Sequence, residues 1–316
     1  MAKILTLTLN PAIDLTVTLE QLRAGEVNRT HEQCSHAAGK GLNVAQVLAD
    51  LGHQVTVSGF LGRDNLQPFE ALIARRGFDD GFVRVPGETR TNIKLVEADG
   101  RVTDVNGLGP QVDDAAQAEL LEYLAQRAAG HDVVVVAGSL PRGVSGQWFC
   151  QLLGQLVAQG LKVALDTSGE ALRAGLQSTP WLVKPNTDEL GELFGITVQA
   201  FAEQRDAAQR LLDGGVTHVV VSQGEHGVNW FAADLALHAQ PPKVSIASTV
   251  GAGDSLVAGM VHGLLQAESA GQTLRRATAI AAQAVTQVGF GIDDREQLSR
   301  LEAAVQLTEQ QQEARR

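Results

Sequence analysis

The chain has few of the residues that mark secreted or metal-bound proteins. It holds 2 cysteines, Cys34 and Cys150, which stand far apart and outside any CxxC pair, so the sequence supports neither a disulfide scaffold nor a zinc site. No apolar run reaches the length of a membrane span, and the N-terminus enters an alternating strand without the apolar stretch of a signal peptide. We therefore expect a cytoplasmic protein with no membrane partner.

Positive charge is also scarce. The formal net charge is −11, from 25 Lys and Arg against 36 Asp and Glu, whereas proteins that bind nucleic acid usually present a basic face. We therefore expect no nucleic-acid partner. An acidic protein that binds a polyanion must use a few local cations and backbone N–H groups rather than a general positive field.

No linker, charge run or strong internal repeat divides the 316 residues, and 44% of them are hydrophobic. Apolar β-branched runs alternate with helical patterns, which predicts an α/β fold with a doubly wound, mostly parallel sheet flanked by helices. The predicted strands include 54–59, 132–136, 161–165, 181–183 and 218–221. The predicted helices lie at 42–51, 67–76, 115–128, 148–158, around Leu190, and at 207–212, 252–268, 274–287 and 297–305.

Two regions break this rhythm. Residues 15–18, 27–31, 91–96 and 102–105 alternate apolar with polar side chains, as half-exposed antiparallel strands do. They predict one domain over 1–316 with a small antiparallel β lid, formed from about 14–32 and 88–106, over the C-terminal edge of the main sheet. The exposed face of the lid could pair with a second copy, which favours a homodimer.

The strongest sign of chemistry is a glycine-rich turn that enters a long apolar helix. Backbone N–H groups at a helix N-terminus lack partners, so Gly251, Ala252 and Gly253 could hold an anion beside Asp254. A tight turn with Asp254 as the N-cap explains the same residues. The motif alone leaves both interpretations open.

Two commoner phosphate-binding motifs are excluded by inspection. A P-loop needs Ser or Thr after Gly-Lys, but Gly41 follows Lys40. A dinucleotide fingerprint needs a third glycine where Val44 and Leu256 stand. The second absence weakens the alternative of a nicotinamide-dependent dehydrogenase.

A second glycine-rich helix start combines Gly39, Lys40 and Asn43, and it predicts either a second anion site or a solvated lysine in a turn. Arg90 shares one face of a predicted strand with Asn92 and Lys94. That face could meet a phosphate, or it could be the wet face of an edge strand.

Polar residues also follow predicted strands, where a parallel sheet places its ligands. Asp14, at the end of the predicted first strand, could accept hydrogen bonds from substrate hydroxyls or cap a turn, and Ser139 closes a very apolar strand. Asn186 and Glu189 have the spacing of Mg²⁺ and phosphate ligands, but a capping box has the same spacing. The loop 222–227 could admit a flat base or form a plain hairpin.

Together these motifs resemble the ribokinase-like sugar kinases of the phosphofructokinase B family. The resemblance runs from Leu5 to about Arg295 and includes two signatures, Gly-Lys-Gly-x-Asn at 39–43 and Val-Gly-Ala-Gly-Asp-Ser at 250–255. It implies a ribokinase-like fold, ATP as phosphoryl donor and Mg²⁺ as cofactor. The sequence departs from that of many relatives at 106–110, where Asn-Gly-Leu-Gly-Pro lacks the Glu that they have. We therefore expect no ligand role for that loop.

The resemblance also implies roles for individual residues. Asp254 would be the catalytic base, with an anion hole from Gly251, Ala252 and Gly253. The implied sugar-phosphate site comprises Asp14, Gly39, Lys40, Asn43, Arg90 and Ser139, with Lys40 and Arg90 on the sugar's phosphate. The implied ATP site comprises Lys184, Asn186, Ser222, Gln223, Gly224, Glu225, His226, Gly227 and Gly253. Asn186 and Glu189 would hold Mg²⁺ through water.

Among members of the family, the motifs are most similar to those of kinases that phosphorylate fructose 1-phosphate at the 6-hydroxyl to give fructose 1,6-bisphosphate. Tagatose 6-phosphate and fructose 6-phosphate are the alternative substrates that the resemblance leaves open. A sugar-phosphate or nucleotide sensor on a kinase scaffold is the alternative that is not an enzyme, although the intact Asp254 argues against it.

Overall fold

Two β-sheets and ten α-helices form residues 1–309, the part of the chain that the computed structural model describes. The strands are β1 (Lys3–Thr8), β2 (Ala12–Leu19), β3 (Thr30–Ala38), β4 (Gln54–Gly62), β5 (Asp79–Val85), β6 (Arg90–Glu97), β7 (Val102–Asn106), β8 (Val133–Ala137), β9 (Lys162–Asp166), β10 (Leu182–Val183), β11 (His218–Ser222), β12 (Val228–Ala232), β13 (Leu235–Gln240) and β14 (Gln306–Glu309). The helices are α1 (Lys40–Asp50), α2 (Gln67–Arg76), α3 (Asp114–Arg127), α4 (Gly146–Ala158), α5 (Gly169–Leu176), α6 (Thr187–Phe194), α7 (Phe201–Asp213), α8 (Ala252–Leu265), α9 (Ala270–Ala284) and α10 (Arg295–Ala304).

The main sheet has ten strands in the order β14-β13-β12-β11-β10-β9-β8-β1-β4-β5. Neighbours from β5 to β11 pair in parallel, and β12, β13 and β14 add antiparallel strands at one edge. Successive side chains of a strand face opposite sides, so Ile4 enters the core under α1, α8 and α9, while Leu5 and Leu7 enter the core under α3 and α4. The predicted doubly wound, mostly parallel sheet is confirmed.

The lid is a separate sheet of four strands in the order β3-β2-β6-β7. Its outer pairs, β2–β3 and β6–β7, are antiparallel, but the central pair β2–β6 is parallel. Alternation of polar and apolar residues cannot reveal this pairing because it is the same in both directions. The strand expected at 27–31 is wrong in position, since β3 begins at Thr30 and continues to Ala38.

Several elements carry no clear pattern in the sequence. We predicted no strand at β5, β13 or β14 and no helix at α5; the three strands lie at or next to an end of the main sheet, and α5 has only 8 residues. Residues 310–316, which the predicted domain includes, lie outside the described residues. Within 1–309, no helix combines the length and the apolar character needed to cross a bilayer.

Helix α8 depends on a glycine for its contact with α9. A Cβ atom added at Gly259 would lie 2.5 Å from the Cα atom of Ala277 and 2.9 Å from its Cβ atom, which is closer than packed atoms approach. Helix α4 has a glycine, Gly154, at which an added Cβ would meet nothing within 4 Å. The two sites form a matched pair.

We expect Gly259→Ala to lower the free energy of unfolding by roughly 1–2 kcal/mol, because overpacking costs about 1–3 kcal/mol and exceeds the gain in helix propensity. Gly154→Ala should instead raise it by about 0.5–1 kcal/mol. Urea unfolding of both variants measures the effect. Equal changes in the two variants would contradict the close α8–α9 contact.

Candidate active site

Two helix N-termini meet at the C-terminal edge of the main sheet. Helix α1 begins after Gly39 and α8 begins after Gly251. In the first turn of α1, the Asn43 side-chain amide donates a 2.7 Å hydrogen bond to Oδ2 of Asp254, in the first turn of α8. Asp254 is only 5% exposed. The two glycine-rich segments, which are far apart in the sequence, therefore form one site.

The structure decides between the two interpretations of the 249–255 turn. Gly251 is the N-cap, with a left-handed φ of 84°, and Asp254 is the third residue of α8. Its carboxylate faces Asn43 and caps no backbone N–H. A side chain at Gly251 would also approach the Phe290 ring to 2.8 Å. The N-cap interpretation of Asp254 is therefore wrong, and the first N–H groups of α8 have no partners within the helix.

A buried carboxylate that the sequence analysis missed lies beside Asp254. Asp166, the last residue of β9, is fully buried, and its Oδ1 atom lies 3.2 Å from Nζ of Lys184 and 3.4 Å from Nζ of Lys40. In β9, Asp166 directly follows the apolar run Val-Ala-Leu, and a charged residue at the end of that run was the available signal. Two anions and two cations thus share one small volume.

Burial and charge act on these carboxylates in different directions. Burial, followed by the negative charge of Asp166, raises the pKa of Asp254 from 3.8 to about 6, against the opposing effects of Lys40 and Asn43. Burial also raises the pKa of Asp166, but Lys184 and Lys40 outweigh it, so the pKa of Asp166 is lowered. At neutral pH both carboxylates are charged, and Asp254 is the better proton acceptor of the two.

These groups line a cavity of about 360 Å³ between the main sheet and the lid. The cavity gathers most of the residues that the sequence analysis proposed. They are Asp14, Gly39, Lys40, Asn43, Arg90, Lys184, Asn186, Glu189, Ser222, Gly251, Gly253 and Asp254.

Asp14 reaches the cavity from the lid and not from the main sheet. We expected it at the end of the first strand, but β1 stops at Thr8 and Asp14 lies on β2. Oδ1 of Asp14 accepts a 3.0 Å hydrogen bond from the Asn92 amide on the neighbouring strand β6. Burial raises its pKa, although Asn92, Lys94 and Arg90 act in the opposite direction.

Arg90 is held differently from what we expected of a phosphate-binding cation. Its guanidinium donates to three backbone carbonyl groups, those of Asn10 (3.0 Å), Pro11 (3.3 Å) and Gly107 (3.5 Å). Burial lowers its pKa, and the charge of Asp14 opposes that shift. These contacts tie the base of the lid to the chain that leaves β1.

Asn186 and Glu189 form the capping box of α6. The Asn186 side chain accepts from the Glu189 N–H at 2.8 Å, and the Glu189 carboxylate accepts from the Asn186 N–H at 2.9 Å. Both residues also line the cavity. The cap explains their spacing, and one carboxylate oxygen of Glu189 remains for a second contact.

A second cavity, of about 750 Å³, lies on the other side of the 249–253 turn. Gly224, Glu225 and His226 line one wall of it, and Ala252 and Thr249 line another. Its remaining lining is mostly apolar and includes Val228, Pro241, Pro242, Val244, Ile246, Ala281, Ala282 and Val285. Because Gly251 and Gly253 face the first cavity, the turn separates two adjoining cavities.

Three proposed residues line neither cavity. Ser139 accepts a 3.1 Å hydrogen bond from the Asn10 amide, and the Gln223 side chain accepts one of 2.9 Å from Gln204. A side chain at Gly227 would meet the carbonyl oxygen of Ala239 at 2.2 Å, so this glycine permits the β11–β12 hairpin to pass close to β13. All three have structural partners that account for them.

Comparison with known proteins agrees with this geometry. Residues 6–297 match the pfkB family carbohydrate kinase model. A 1-phosphofructokinase of Vibrio cholerae is 47% identical over 97% of this chain and 96% of its own length, and one of Escherichia coli is 45% identical over 96% and 98%. The structure of phosphofructokinase-2 from Escherichia coli in complex with potassium superimposes with a TM-score of 0.89 at 30% identity, covering 96% of this chain and 99% of that one. The resemblance inferred from the motifs is thus confirmed, and the chain belongs to the pfkB family of carbohydrate kinases.

Proposed function

We propose that this kinase transfers the γ-phosphoryl group of ATP to the 6-hydroxyl of fructose 1-phosphate, giving fructose 1,6-bisphosphate and ADP. One observation carries the proposal: Asp254, a proton acceptor with a raised pKa, lies at a helix N-terminus beside two lysines. The full-length similarity to 1-phosphofructokinases supports the choice of substrate.

In this proposal, Asp254 accepts the proton of the 6-hydroxyl as its oxygen forms the new bond to phosphorus and the bond to the ADP oxygen breaks. Phosphoryl transfer needs positioning and charge neutralisation more than covalent chemistry. The free N–H groups at the start of α8, from Ala252 and Gly253, would stabilise the oxygens of the moving group. The helix N-terminus also stabilises the Asp254 anion.

The lysines take a role that differs from the one expected for Lys40. Lys40 and Lys184 both lie at Asp166, in the charge cluster around Asp254. We therefore assign Lys40 to the transferred phosphoryl group rather than to the phosphate that the sugar already carries. Lys184 lies 3.4 Å from the position of a Cβ at Gly253, so that glycine leaves room for a phosphate beside the lysine.

ATP would occupy both cavities. The mostly apolar second cavity suits an adenine base, with Gly224 to His226 alongside it, and the 249–253 turn leads from there to Asp254. Mg²⁺ usually binds one or two carboxylates together with phosphate oxygens and water. The remaining oxygen of Glu189 fits that pattern, and the metal would neutralise charge on the phosphates when bound.

The substrate assignment is tested by comparing turnover of fructose 1-phosphate, fructose 6-phosphate and tagatose 6-phosphate. We expect the highest kcat/KM with fructose 1-phosphate. Asp254→Asn should fold normally and lose roughly 10²–10⁴-fold in kcat on every substrate, the range typical of a general base. The exposed Asp234→Asn is the matched control. A preference for another sugar phosphate would reject fructose 1-phosphate as the substrate. Near-normal turnover by Asp254→Asn would reject Asp254 as the base. Absence of ADP release by the wild type with all three sugar phosphates would favour a sensor.

The raised pKa of Asp254 predicts a pH dependence. A general base works when deprotonated, so kcat/KM should rise with pH through about 6. The phosphate of the substrate also titrates near pH 6, so the decisive measurement compares the enzyme with Asn43→Ala. Removing the Asn43 donor destabilises the carboxylate and should move the rise to higher pH. If the wild type and Asn43→Ala had the same pH profile, the pH dependence would not arise from Asp254.

We also propose a homodimer formed through the lid. One face of the lid sheet carries half-buried Leu15, Ile93 and Leu95 together with Val105, which is 53% exposed. An apolar sheet face of this kind usually packs against another surface, and a second lid is the simplest one.

Leu15→Glu should convert the dimer to monomers, because it would bury an unpaired charge at the contact. Val102→Glu adds the same charge on the opposite face of the lid and should leave the dimer intact. Light scattering coupled to size-exclusion chromatography measures both masses. A monomeric wild type, or a dimeric Leu15→Glu variant, would contradict this interface.

A further inference from the structure

Three polar side chains form a buried network on one face of the main sheet. Gln204 of α7 is fully buried, and Asn229 of β12 is 1% exposed. The Asn229 amide donates a 2.7 Å hydrogen bond to Oε1 of Gln204, and Oδ1 of Asn229 lies 2.7 Å from Nδ1 of His238, its register partner on β13. We call Gln204, Asn229 and His238 the buried network. The proposed reaction does not yet use it.

A backbone carbonyl group fixes the direction of each hydrogen bond in the buried network. The carbonyl oxygen of Gln199 can only accept, so the Gln204 atom that lies 3.0 Å from it is the amide nitrogen. Oε1 of Gln204 then accepts from Asn229, and Oδ1 of Asn229 accepts from Nδ1 of His238. The second N–H of the Gln204 amide donates to Oε1 of Gln223 at 2.9 Å. Both N–H groups and the oxygen of Gln204 therefore have partners.

Gln223 connects the buried network to the loop 223–227. The N–H of Gln223 donates to the carbonyl oxygen of Gly227 at 2.9 Å, and the carbonyl oxygen of Gln223 accepts from the N–H of His226 at 3.1 Å. Gly224, Glu225 and His226 line the cavity of about 750 Å³. Because Gln223 is bonded to the far end of this loop, its position fixes that wall of the cavity.

The buried network lies on the face of the main sheet that is opposite the cavity. Val228 lines the cavity, and successive side chains of a strand face opposite sides. Asn229 therefore faces away from the cavity, towards Gln204 on α7. The three side chains of the network do not line the cavity, so they affect a bound nucleotide only through the loop.

Burial makes the contact with the loop a strong constraint. A buried hydrogen-bond network is favourable only when each of its members is satisfied. If the loop moved away, Gln204 would keep an N–H group with no acceptor and no access to water, which costs more than the loss of an exposed hydrogen bond. The outer side of the loop has only an exposed contact, from the Gln240 amide to the carbonyl oxygen of Glu225 at 2.7 Å.

Resting on the proposed function, we propose that Gln204 is a positioning residue for the nucleotide: through Gln223, it holds the loop 223–227 in the conformation that receives ATP. Asn229 and His238 fix the orientation of the Gln204 amide. A loop that is ordered before binding lowers the cost of binding. The buried network therefore increases the affinity for ATP and does not act on the sugar or on Asp254.

The test compares the ATP affinity of the wild type with that of Gln204→Met, which keeps a side chain of similar length and removes the amide. Loss of one neutral hydrogen bond corresponds to a factor of roughly two to ten. We expect the Kd of ATP, measured by titration calorimetry without sugar, to rise by that factor. KM for ATP should rise with it, whereas kcat and KM for the sugar phosphate should change little.

Gln117→Met is the matched control for loss of a buried glutamine. Gln117 lies on α3, is 6% exposed, and donates to the carbonyl oxygens of Val112 at 3.3 Å and Gly143 at 3.2 Å. It lines neither cavity of the proposed ATP site. Gln117→Met should lower the melting temperature, as Gln204→Met does, and should leave the Kd of ATP unchanged.

Gln223→Met removes the same contact from the side of the loop. Gln223 is half-buried, so this variant tests the proposal even if Gln204→Met does not fold. We expect a similar rise in the Kd of ATP. The double variant Gln204→Met/Gln223→Met should bind ATP no more weakly than Gln204→Met, because both changes remove one shared contact.

The outcomes separate this role from the proposed reaction. A wild type that binds ATP, with Gln204→Met weakened no more than Gln117→Met, would overturn the positioning role alone. Losses that add in the double variant would also overturn it, because Gln223 would then act independently of Gln204. If the wild type bound ATP but phosphorylated no sugar phosphate, the proposed reaction would fail, and the same Kd values would still decide the role of Gln204. A wild type without affinity for ATP would overturn both.

Discussion

The buried carboxylate of Asp166 is the constraint on which the site depends. A charge without access to water must be paired, and Asp166 is paired with Lys40 from α1 and Lys184 from the segment after β10. These contacts fix two cations next to Asp254. Its charge also contributes to the raised pKa of Asp254. One residue therefore positions two cations in the cavity and raises the proton affinity of Asp254, the proposed base.

The hydrogen bond from Asn43 to Asp254 performs the corresponding task for the backbone. It holds the first turns of α1 and α8 together, so two sets of helix N–H groups point towards the same region. In a protein with a net charge of −11, positive potential for an anion has to be concentrated locally. The convergence of both helices, with two lysines, supplies that potential locally.

The sequence predicted correctly those features that depend on short contiguous segments. The glycine turns, the doubly wound sheet and the family were all predictable because each depends on neighbouring residues. The role of Asp166 was not, because it arises only when β9 lies beside α1 and α8. The carbonyl contacts of Arg90 and the parallel β2–β6 pair were hidden for the same reason. A helix cap and a ligand site predict the same spacing of Asn186 and Glu189. The structure shows the cap, and both residues also line the cavity that holds Asp254.

The parallel central pair of the lid has a mechanical consequence. The strands β2 and β6, and the end of β3, all leave or rejoin the main body at one end of the small sheet, at Ala12, Arg90 and Ala38, which are register partners. The small sheet is therefore attached to the main body at one end, and Arg90 lies at that attachment. A rotation of the sheet about this end would displace Lys94 more than Asp14 and would leave Asp254, which lies on α8, in place. Residues near the attachment, such as Asp14, would therefore keep their distance from Asp254 better than residues at the free end of the small sheet.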